Sequence, residues 1–351
     1  MSNKTLLGAL ERLRVQVDSS PRNFDLLKVV GRGGYGKVFM ARRKCDDQIL
    51  ALKVINKPDP DEDFHDEIGV FRSVQSPYTC RMFDHFESRG KIYMAMEFLA
   101  GGDLFSLMER KVTFHEDASR FFMAEIVLAL EYLHNGDIIY RDLKPENVML
   151  DRNGHIKLAD FGLAKMNFPK GARTETKCGT VAYQAPEMVA GKPYGHEIDI
   201  WALGCLAYYM LTGELPFEAE TTREVVGKIL RQKVKMPEGT SKSCCKVMRK
   251  IFRRVPEKRI SLSEMKGLEF FQTINWDNLP ATRAPFNPRL SGEEDVSQFD
   301  SCFTEMTPTV SPCKKLLEDE PKDPFAGFDS RGEPPASKKL VFQDISNTTN
   351  H

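Results

Sequence analysis

The periodicity of apolar residues changes at Gly101-Gly102, and this change limits the folds that the chain can adopt. Upstream, short runs rich in Val, Ile and Phe alternate with polar residues, which is typical of strands joined by tight turns. One segment, residues 64–74, is spaced as a helix. Downstream, helical spacing dominates, and residues 197–213 are apolar on nearly all sides, which indicates a buried helix. We therefore predict an α+β fold of two lobes, a small antiparallel β lobe with one main helix and a larger, mainly helical lobe.

Changes in periodicity and composition along the chain also set the predicted domain boundaries. A cleft between the lobes is where we expect a ligand to bind. The last part of the chain is rich in Pro and acidic residues, so we expect a tail that is ordered only where it docks. The predicted segments are an N-terminal extension 1–23, a folded domain 24–271 with lobes 24–98 and 102–271, and a C-terminal tail 272–351.

Composition argues against several classes of protein. The 50 basic and 50 acidic residues cancel, which gives no bulk reason to bind nucleic acid or an anionic membrane. The longest uncharged stretch, Ile200 to Gly213, is too short to span a bilayer. The first residues carry charges where a secretory signal needs an apolar run. The eight cysteines show no zinc-ligand spacing. We expect a monomer in the cytoplasm, with the nucleus as a second location, and no nucleic-acid or membrane partner.

Glycines spaced as GxGxxGxV lie between two predicted strands. Dinucleotide-binding folds use a similar string, but there the loop opens a helix, whereas here a strand follows with Lys53 shortly after. Glycines let backbone N–H groups approach phosphate oxygens. Lys53 supplies a cation for the phosphates, and Glu67 on the next helix is our choice for its partner, ahead of Asp66 and Glu62. The residues assigned to the loop are Gly31, Gly33, Gly34, Gly36 and Val38.

The string YRDLKPEN and the later DFG supply the charged and amide groups that phosphoryl transfer requires. Asp142 is placed to accept the proton of a substrate hydroxyl, and Lys144 to neutralise the γ-phosphoryl group. Asn147 and Asp160 offer the oxygen ligands that magnesium prefers. Because the reaction depends mostly on positioning and charge neutralisation, this set of residues fits it.

A further string, Ala185-Pro186-Glu187, follows the DFG string at the spacing typical of an activation segment. Arg259 is available to pair with Glu187. Each string alone could occur by chance, but their order and spacing together could not. Residues 24–271 therefore resemble the eukaryotic protein kinase domain. YRDLKPEN, the CGT before APE and the C-terminal extension resemble the AGC group. GGYGKVF, INWDNL, APFNP and EEDVSQFDSCFTEMTP resemble the ribosomal S-six kinase family.

The resemblance implies a serine/threonine protein kinase that uses ATP and Mg²⁺. Its partners would be protein substrates and an upstream activating kinase. In the family, adenine pairs with the backbone of a hinge behind a gatekeeper residue, here Met96. The resemblance also assigns a structural role to Asp199, beside Glu187 and Arg259. The further residues that it assigns to the ATP site are Ala51, Met96, Glu97, Leu99 and Asp103.

The resemblance also implies a regulatory site in the activation segment. Thr176 aligns with the threonine that an upstream kinase phosphorylates, and Arg141 and Lys165 align with the cations that receive the phosphate. A dianion opposite Arg and Lys gains short, charge-assisted hydrogen bonds and orders its loop. Phosphorylation of Thr176 is therefore expected to activate the enzyme.

Substrate preference follows from acidic residues near the expected peptide groove. Asp103 and Glu146 would face the ribose and the basic residues of a substrate, which predicts Ser or Thr near Arg or Lys. Tyr209 stands where cyclic-AMP-dependent relatives place an acidic residue, and CGTVAY replaces the commoner CGTPEY.

The segment 325–329 resembles a hydrophobic motif that docks onto the small lobe. Phe325 and Phe328 would bury their rings, and Asp329 stands where the group usually has a phosphorylatable residue. The alternative function is a catalytically weak or inactive scaffold. Such a protein would lose Lys53, Asp142 or Asp160, and all of these are present.

Overall fold

The computed structural model describes residues 20–33, 36–57, 65–111 and 113–310. The chain divides into two compact units, and each is described by itself. Unit 1 holds the described residues among Met1–Glu62, Met82–Phe98 and Phe299–Pro321. Unit 2 holds those among Asp63–Arg81 and Leu99–Gln298.

Unit 1 is built on an antiparallel sheet of five strands in the order β1-β2-β3-β5-β4. Most residues of the central strands β3 and β5 are buried, which is why both read as nearly continuous apolar runs. The rings of Phe86 and Tyr93 stack in the core at 4.9 Å. The strands are β1 Phe24–Gly33, β2 Gly36–Arg43, β3 Ile49–Asn56, β4 Met82–Ser88 and β5 Lys91–Glu97.

The turn between β1 and β2 depends on a glycine. Gly33 pairs with Gly36 across the hairpin, and Gly36 lies directly against the backbone of β3. A Cβ at Gly36 would overlap the carbonyl oxygen of Val54, so no other residue fits there without moving the strand. Two register shifts in β1 add the local twist that irregular pairs produce.

Unit 2 is mainly helical, with one two-stranded sheet. Its strands are β6 Val148–Leu150 and β7 Ile156–Leu158. The first helices are α1 His65–Ser73, α2 Leu104–Lys111, α3 Glu116–Asn135 and α4 Pro186–Val189. The later ones are α5 Glu197–Thr212, α6 Thr222–Arg231, α7 Lys242–Ile251 and α8 Leu262–Lys266.

The core of unit 2 forms around α5. This helix is buried on nearly all sides, and Trp201 at its centre stacks on Phe217 and meets Phe252 edge-on. It ends at Gly213, whose φ of +74° is the left-handed conformation that closes many helices. The α+β fold of a β-rich and a helical part, predicted from the change in periodicity, is confirmed. Among the described residues, no helix combines the length and apolar character needed to cross a membrane.

Residues 299–310 of the tail pack onto unit 1. Phe299 stacks on Phe98 at 5.6 Å, and helix α9 Ser301–Thr304 follows. Phe303, Met306 and Val310 pack against the buried cluster of the sheet. The predicted docking segment, residues 325–329, lies outside the described residues. The sequence analysis did not single out residues 299–310 as a docking segment.

We predict that Phe303→Ala lowers the free energy of unfolding by about 2 kcal/mol. The loss is smaller than the roughly 3–5 kcal/mol of a fully buried Phe, because this ring is only partly buried. Urea denaturation followed by circular dichroism measures the change. Glu305→Ala, on an exposed neighbour, is the control and should stay within about 0.5 kcal/mol. Equal midpoints for the two variants would contradict the packing role.

Candidate active site

Most of the predicted ATP-site residues of unit 1 share one face of its sheet, whereas Glu97, opposite Leu50, belongs to the other face. Lys53 lies opposite Val38, and Ala51 lies opposite Met96. Residues directly opposite each other in an antiparallel pair, and residues two apart on one strand, point to the same face. Gly31 is opposite Val38 and extends this face into the loop. Gly34 of the loop lies outside the described residues.

The catalytic loop of unit 2 is fixed by a buried carboxylate, that of Asp199. One oxygen accepts hydrogen bonds from the Tyr140 amide at 3.0 Å and lies 2.8 Å from His134 Nε2, and the other accepts from the Arg141 amide at 2.9 Å. Arg141 has a φ of +69°, a strained conformation for a residue with a side chain. The bonds to Asp199 hold the backbone in this conformation just before Asp142.

The structure brings together three of the predicted catalytic residues, Asp142, Lys144 and Asn147. Asn147 Nδ2 donates to the Asp142 carbonyl at 2.9 Å and to its carboxylate at 2.7 Å. Lys144 Nζ lies 3.1 Å from the same carboxylate oxygen and donates to Thr180 Oγ1 at 3.3 Å. Burial raises the pKa of Asp142, and the Lys144 ammonium opposes that shift. For Lys144, burial lowers the pKa, but nearby carboxylates led by Asp142 outweigh it and raise the value.

Asp160 begins the DFG turn with a φ of +54°. Its carboxylate accepts from the Gly162 amide at 3.4 Å, and its charge adds to the raised pKa of Asp142, for which burial is the main cause. Phe161 is buried and meets Phe71 of α1 edge-on at 4.8 Å. This ring contact fixes the turn against the helix that carries Glu67.

Glu67 is buried on α1 and lies beside the DFG glycine. A Cβ built at Gly162 would be 3.6 Å from the Glu67 carboxylate. Lys53 belongs to unit 1 and Glu67 to unit 2, so the pairing of these two residues stays a prediction. Of the expected hinge residues, Glu97 ends β5 in unit 1, whereas Leu99 is buried in unit 2.

The side chains of Asn147 and Asp160 offer the oxygen ligands that magnesium prefers. Among the described residues, no cluster of three or more His, Cys, Asp or Glu side chains could enclose a metal ion. Magnesium is commonly held by one or two carboxylates together with substrate phosphates and water, so such a cluster is not needed. The Asn147 amide nitrogen donates to Asp142, so its side-chain oxygen is the atom that would bind the cation, together with the Asp160 carboxylate.

The activation segment carries an exposed Thr176. Arg141 Nε donates to the Leu163 carbonyl at 2.6 Å, while Arg141 Nη1 is buried without a hydrogen-bond partner in the part of the chain that the structure describes. A buried guanidinium nitrogen without a partner is costly and suits an anion. Lys165 Nζ lies over the Phe168 ring at 5.7 Å. The structure gives no direct contact of Thr176 with either cation.

Glu187 and Arg259 form a buried, two-pronged ion pair with N–O distances of 2.7 and 2.9 Å. Arg259 also donates to the Glu197 carbonyl at 2.8 Å and lies over the Trp201 ring at 5.2 Å. Breaking one side of such a pair costs about 3–5 kcal/mol, because the other charge is left buried. The pair ties the end of the activation segment to α5.

The acidic residues expected near a peptide substrate are Asp103 and Glu146. Asp103 accepts from the Ser106 amide at 2.7 Å and from its hydroxyl at 2.8 Å, so its carboxylate caps α2. Loss of hydration raises the pKa of Glu146, and the carboxylates of Asp103 and Asp142 add to the shift. Phe325, Phe328 and Asp329 lie outside the described residues, so their docking stays a prediction.

The structure combines a fixed carboxylate beside an ammonium and an amide, a DFG turn with a buried Phe161, and an ion-paired APE segment. These are the parts of a phosphotransfer site. Residues 24–271 match the Protein kinase domain family, so the chain belongs to that family. Residues 290–329 match the Protein kinase C terminal domain. The predicted resemblance to the AGC group is confirmed.

The chain is also similar to curated relatives over most of its length. It is 40% identical over 324 residues to Ribosomal protein S6 kinase beta of Caenorhabditis elegans, which covers 88% of this chain and 59% of that relative. It is 39% identical over 310 residues to Ribosomal protein S6 kinase alpha-2 of Homo sapiens, covering 84% of this chain and 42% of the relative. The chain thus spans 42% to 59% of the length of these relatives.

Several residues of the site were not found from the sequence. His134 supports Asp199, and Tyr194 and Arg173 hold the activation segment. None of them belongs to a motif with fixed spacing. A histidine near the end of an amphipathic helix gives no signal by itself, since its partner is 65 residues away.

Proposed function

We propose that the chain is a serine/threonine protein kinase, which transfers the γ-phosphoryl group of ATP to a Ser or Thr hydroxyl of protein substrates. The observation that carries this proposal is the Asp142 carboxylate, held by Asn147 and Lys144 on backbone that Asp199 fixes. A general base must be positioned before the substrate arrives, because phosphoryl transfer gains most from orientation.

In the reaction, the hydroxyl oxygen of the substrate bonds to the γ-phosphorus while the bond to the leaving ADP oxygen breaks. Asp142 orients the hydroxyl through a hydrogen bond and receives its proton. Burial raises the pKa of Asp142, which makes it a stronger proton acceptor, and the Lys144 ammonium opposes the shift by stabilising the ionised form. The Lys144 ammonium also offers positive charge where the transferred group carries negative charge.

Asp160 and Asn147 would hold the magnesium ion. Bound there, magnesium neutralises the charge of the phosphate oxygens. The φ of +54° at Asp160 and the contact of Phe161 with Phe71 fix the direction of the carboxylate. Asn147 would have two roles, because its amide nitrogen donates to Asp142 and its side-chain oxygen would bind the cation.

We predict that Asp160→Asn and Asp142→Asn each lower the turnover of a peptide substrate by about 10³-fold or more. The first removes a charge that would hold magnesium, and the second removes the proton acceptor. Steady-state phosphorylation of a Ser peptide with purified protein measures the loss. Asp277→Asn, at an exposed site, is the control. Near-wild-type turnover in both variants would contradict these roles, and no turnover in the unsubstituted protein would favour the scaffold alternative.

For substrate preference, we propose Arg or Lys close to the phosphorylated Ser or Thr. Burial raises the pKa of Glu146, and the carboxylates of Asp103 and Asp142 add to the shift, so a guanidinium would stabilise the ionised carboxylate. Burial raises the pKa of Tyr209, and the carboxylates of Glu109, Glu146 and Glu218 add to this shift, so negative charge surrounds the aromatic side chain. Such surroundings favour a cationic side chain at this end of the groove.

We predict that Glu146→Gln lowers kcat/KM about tenfold for a peptide with Arg near the Ser, which is about 1.4 kcal/mol. A peptide with Ala in place of Arg should be affected less than twofold, because it lacks the charge that Glu146 would bind. Comparing both peptides with the enzyme and with Glu269→Gln, at an exposed site, tests this. An equal loss for both peptides would contradict recognition of the cation.

We also propose that an upstream kinase activates the protein by phosphorylating Thr176. The exposed hydroxyl is accessible to another enzyme. The buried nitrogen of Arg141 supports the proposal, since a phosphate could supply the hydrogen bond that it lacks. Lys165 follows in the same segment and would add a second cation.

Thr176→Ala should lower peptide phosphorylation about tenfold relative to protein phosphorylated at Thr176, while the midpoint of urea unfolding stays unchanged. The loss reflects missing charge-assisted bonds to a loop and not a change in the core. Mass spectrometry must assign the phosphate, since Thr174 is a nearby competitor. Full activity in protein without phosphate at Thr176 would refute the proposal.

A further inference from the structure

The segment around Thr176 is already held in place by residues 194–197. Thr174 and Tyr194 form an antiparallel bridge, with N–O distances of 3.0 and 2.9 Å. The Tyr194 hydroxyl donates to the Thr176 carbonyl at 2.6 Å. Tyr194 is buried, so this bond is protected from competition by water. The backbone on both sides of the phosphorylatable residue is thus anchored without phosphate.

Arg173, next to this bridge, adds an ion pair. Its Nη1 donates to the Glu197 carboxylate at 2.8 Å, and Nη2 lies 3.9 Å from Glu257. Glu197 is the first residue of α5, and its carbonyl accepts a bond from Arg259, the partner of Glu187. A continuous set of polar contacts therefore runs from Arg173 through Glu197 to the buried pair that anchors the APE segment.

The guanidinium of Arg173 lies directly over Gly195. A Cβ built at this glycine would overlap Arg173 Nη1 and come within 2.7 Å of the Glu197 carboxylate. Both of these atoms are the ends of flexible side chains, so an alanine would push the ion pair open, and its Cβ would also lie 3.1 Å from the Ala172 carbonyl oxygen. Gly195 thus permits the pair without taking part in it.

The held segment leads to the catalytic loop. Gln184 Nε2 donates to the carbonyls of Cys178 and Gly179, and Thr180 accepts from Lys144. A shift of residues 174–178 would therefore change where a docked peptide lies relative to Asp142. It would not change the strands that carry Lys53, so peptide binding is the step that should respond.

We propose that Arg173 and Glu197 are positioning residues, which order the peptide-docking segment before Thr176 is phosphorylated. This inference rests on the proposed kinase activity. The pair is partly exposed, with 36% and 29% of the two side chains accessible, so its effect is modest. Once Thr176 carries phosphate, bonds to Arg141 and Lys165 order the same segment, and the ion pair contributes less.

The test compares Arg173→Ala and Gly195→Ala, each combined with Thr176→Ala. Both should raise the KM for a peptide about fivefold, equal to about 1 kcal/mol, with kcat and the KM for ATP within twofold. One variant removes the cation, whereas the other keeps both charges and opens the pair by steric overlap. Adding Glu197→Gln to Arg173→Ala should cause no further loss, because the interaction is already broken.

The same variants with phosphate on Thr176 should lose less than twofold. Arg223→Ala, on the exposed surface of α6, is the control in both backgrounds. If Arg173→Ala and Gly195→Ala match this control while the parent protein is active, the inference is wrong. An equal loss with and without phosphate also overturns it.

Hydrogen exchange separates this inference from the kinase activity. In the Thr176→Ala background, the amide of Thr174 should exchange about fivefold faster in both variants than in the control. If no preparation phosphorylates any peptide, the proposed function fails, and exchange still reports on the ion pair. Unchanged exchange in both variants would overturn the ordering role whatever the activity.

Discussion

The carboxylate of Asp199 is the constraint on which the active site depends. It is almost fully buried on α5, and its two oxygens meet the amides of Tyr140 and Arg141 and the ring of His134. A buried charge is tolerated only when such bonds replace water. In return, the bonds hold Arg141 at a positive φ, which turns the chain so that Asp142 follows in a fixed position.

The turn at Arg141 positions two parts of the site, the Asp142 carboxylate and the activation segment. Asn147 and Lys144 fix the Asp142 carboxylate, so the proton acceptor needs no rearrangement when a substrate hydroxyl arrives. The Arg141 side chain leaves the same turn toward the activation segment, where it donates to the Leu163 carbonyl. One residue thus couples the catalytic loop to the segment that carries Thr176. The Lys144–Thr180 hydrogen bond is a second link between the same two parts.

The sequence predicted what depends on short spacing. Periodicity revealed the strands and the buried helix α5, and the strings around Asp142 and Asp160 identified the catalytic loop and the DFG turn, which the Arg141–Leu163 hydrogen bond joins in the structure. It missed contacts between distant residues, such as Tyr194 with Thr176 and Phe303 with the sheet. A single Tyr, Arg or Phe outside a motif does not indicate its partner, since the pairing is set by the path of the chain and not by local preference.

Phosphate on Thr176 and the Arg173–Glu197 pair address the same physical problem. A surface loop has few buried apolar contacts, so bonds between charged groups must offset the entropy lost when it is ordered. A dianion beside Arg141 would satisfy a buried nitrogen that now has no partner within the described chain, and the gain would be large. The Arg173 pair is partly hydrated, so its gain is small, but it needs no modification. The phosphate on Thr176 therefore stabilises the loop more than the Arg173–Glu197 pair does. The ion pair keeps the loop close to the conformation that phosphorylation selects. It thereby reduces the ordering that phosphorylation must achieve.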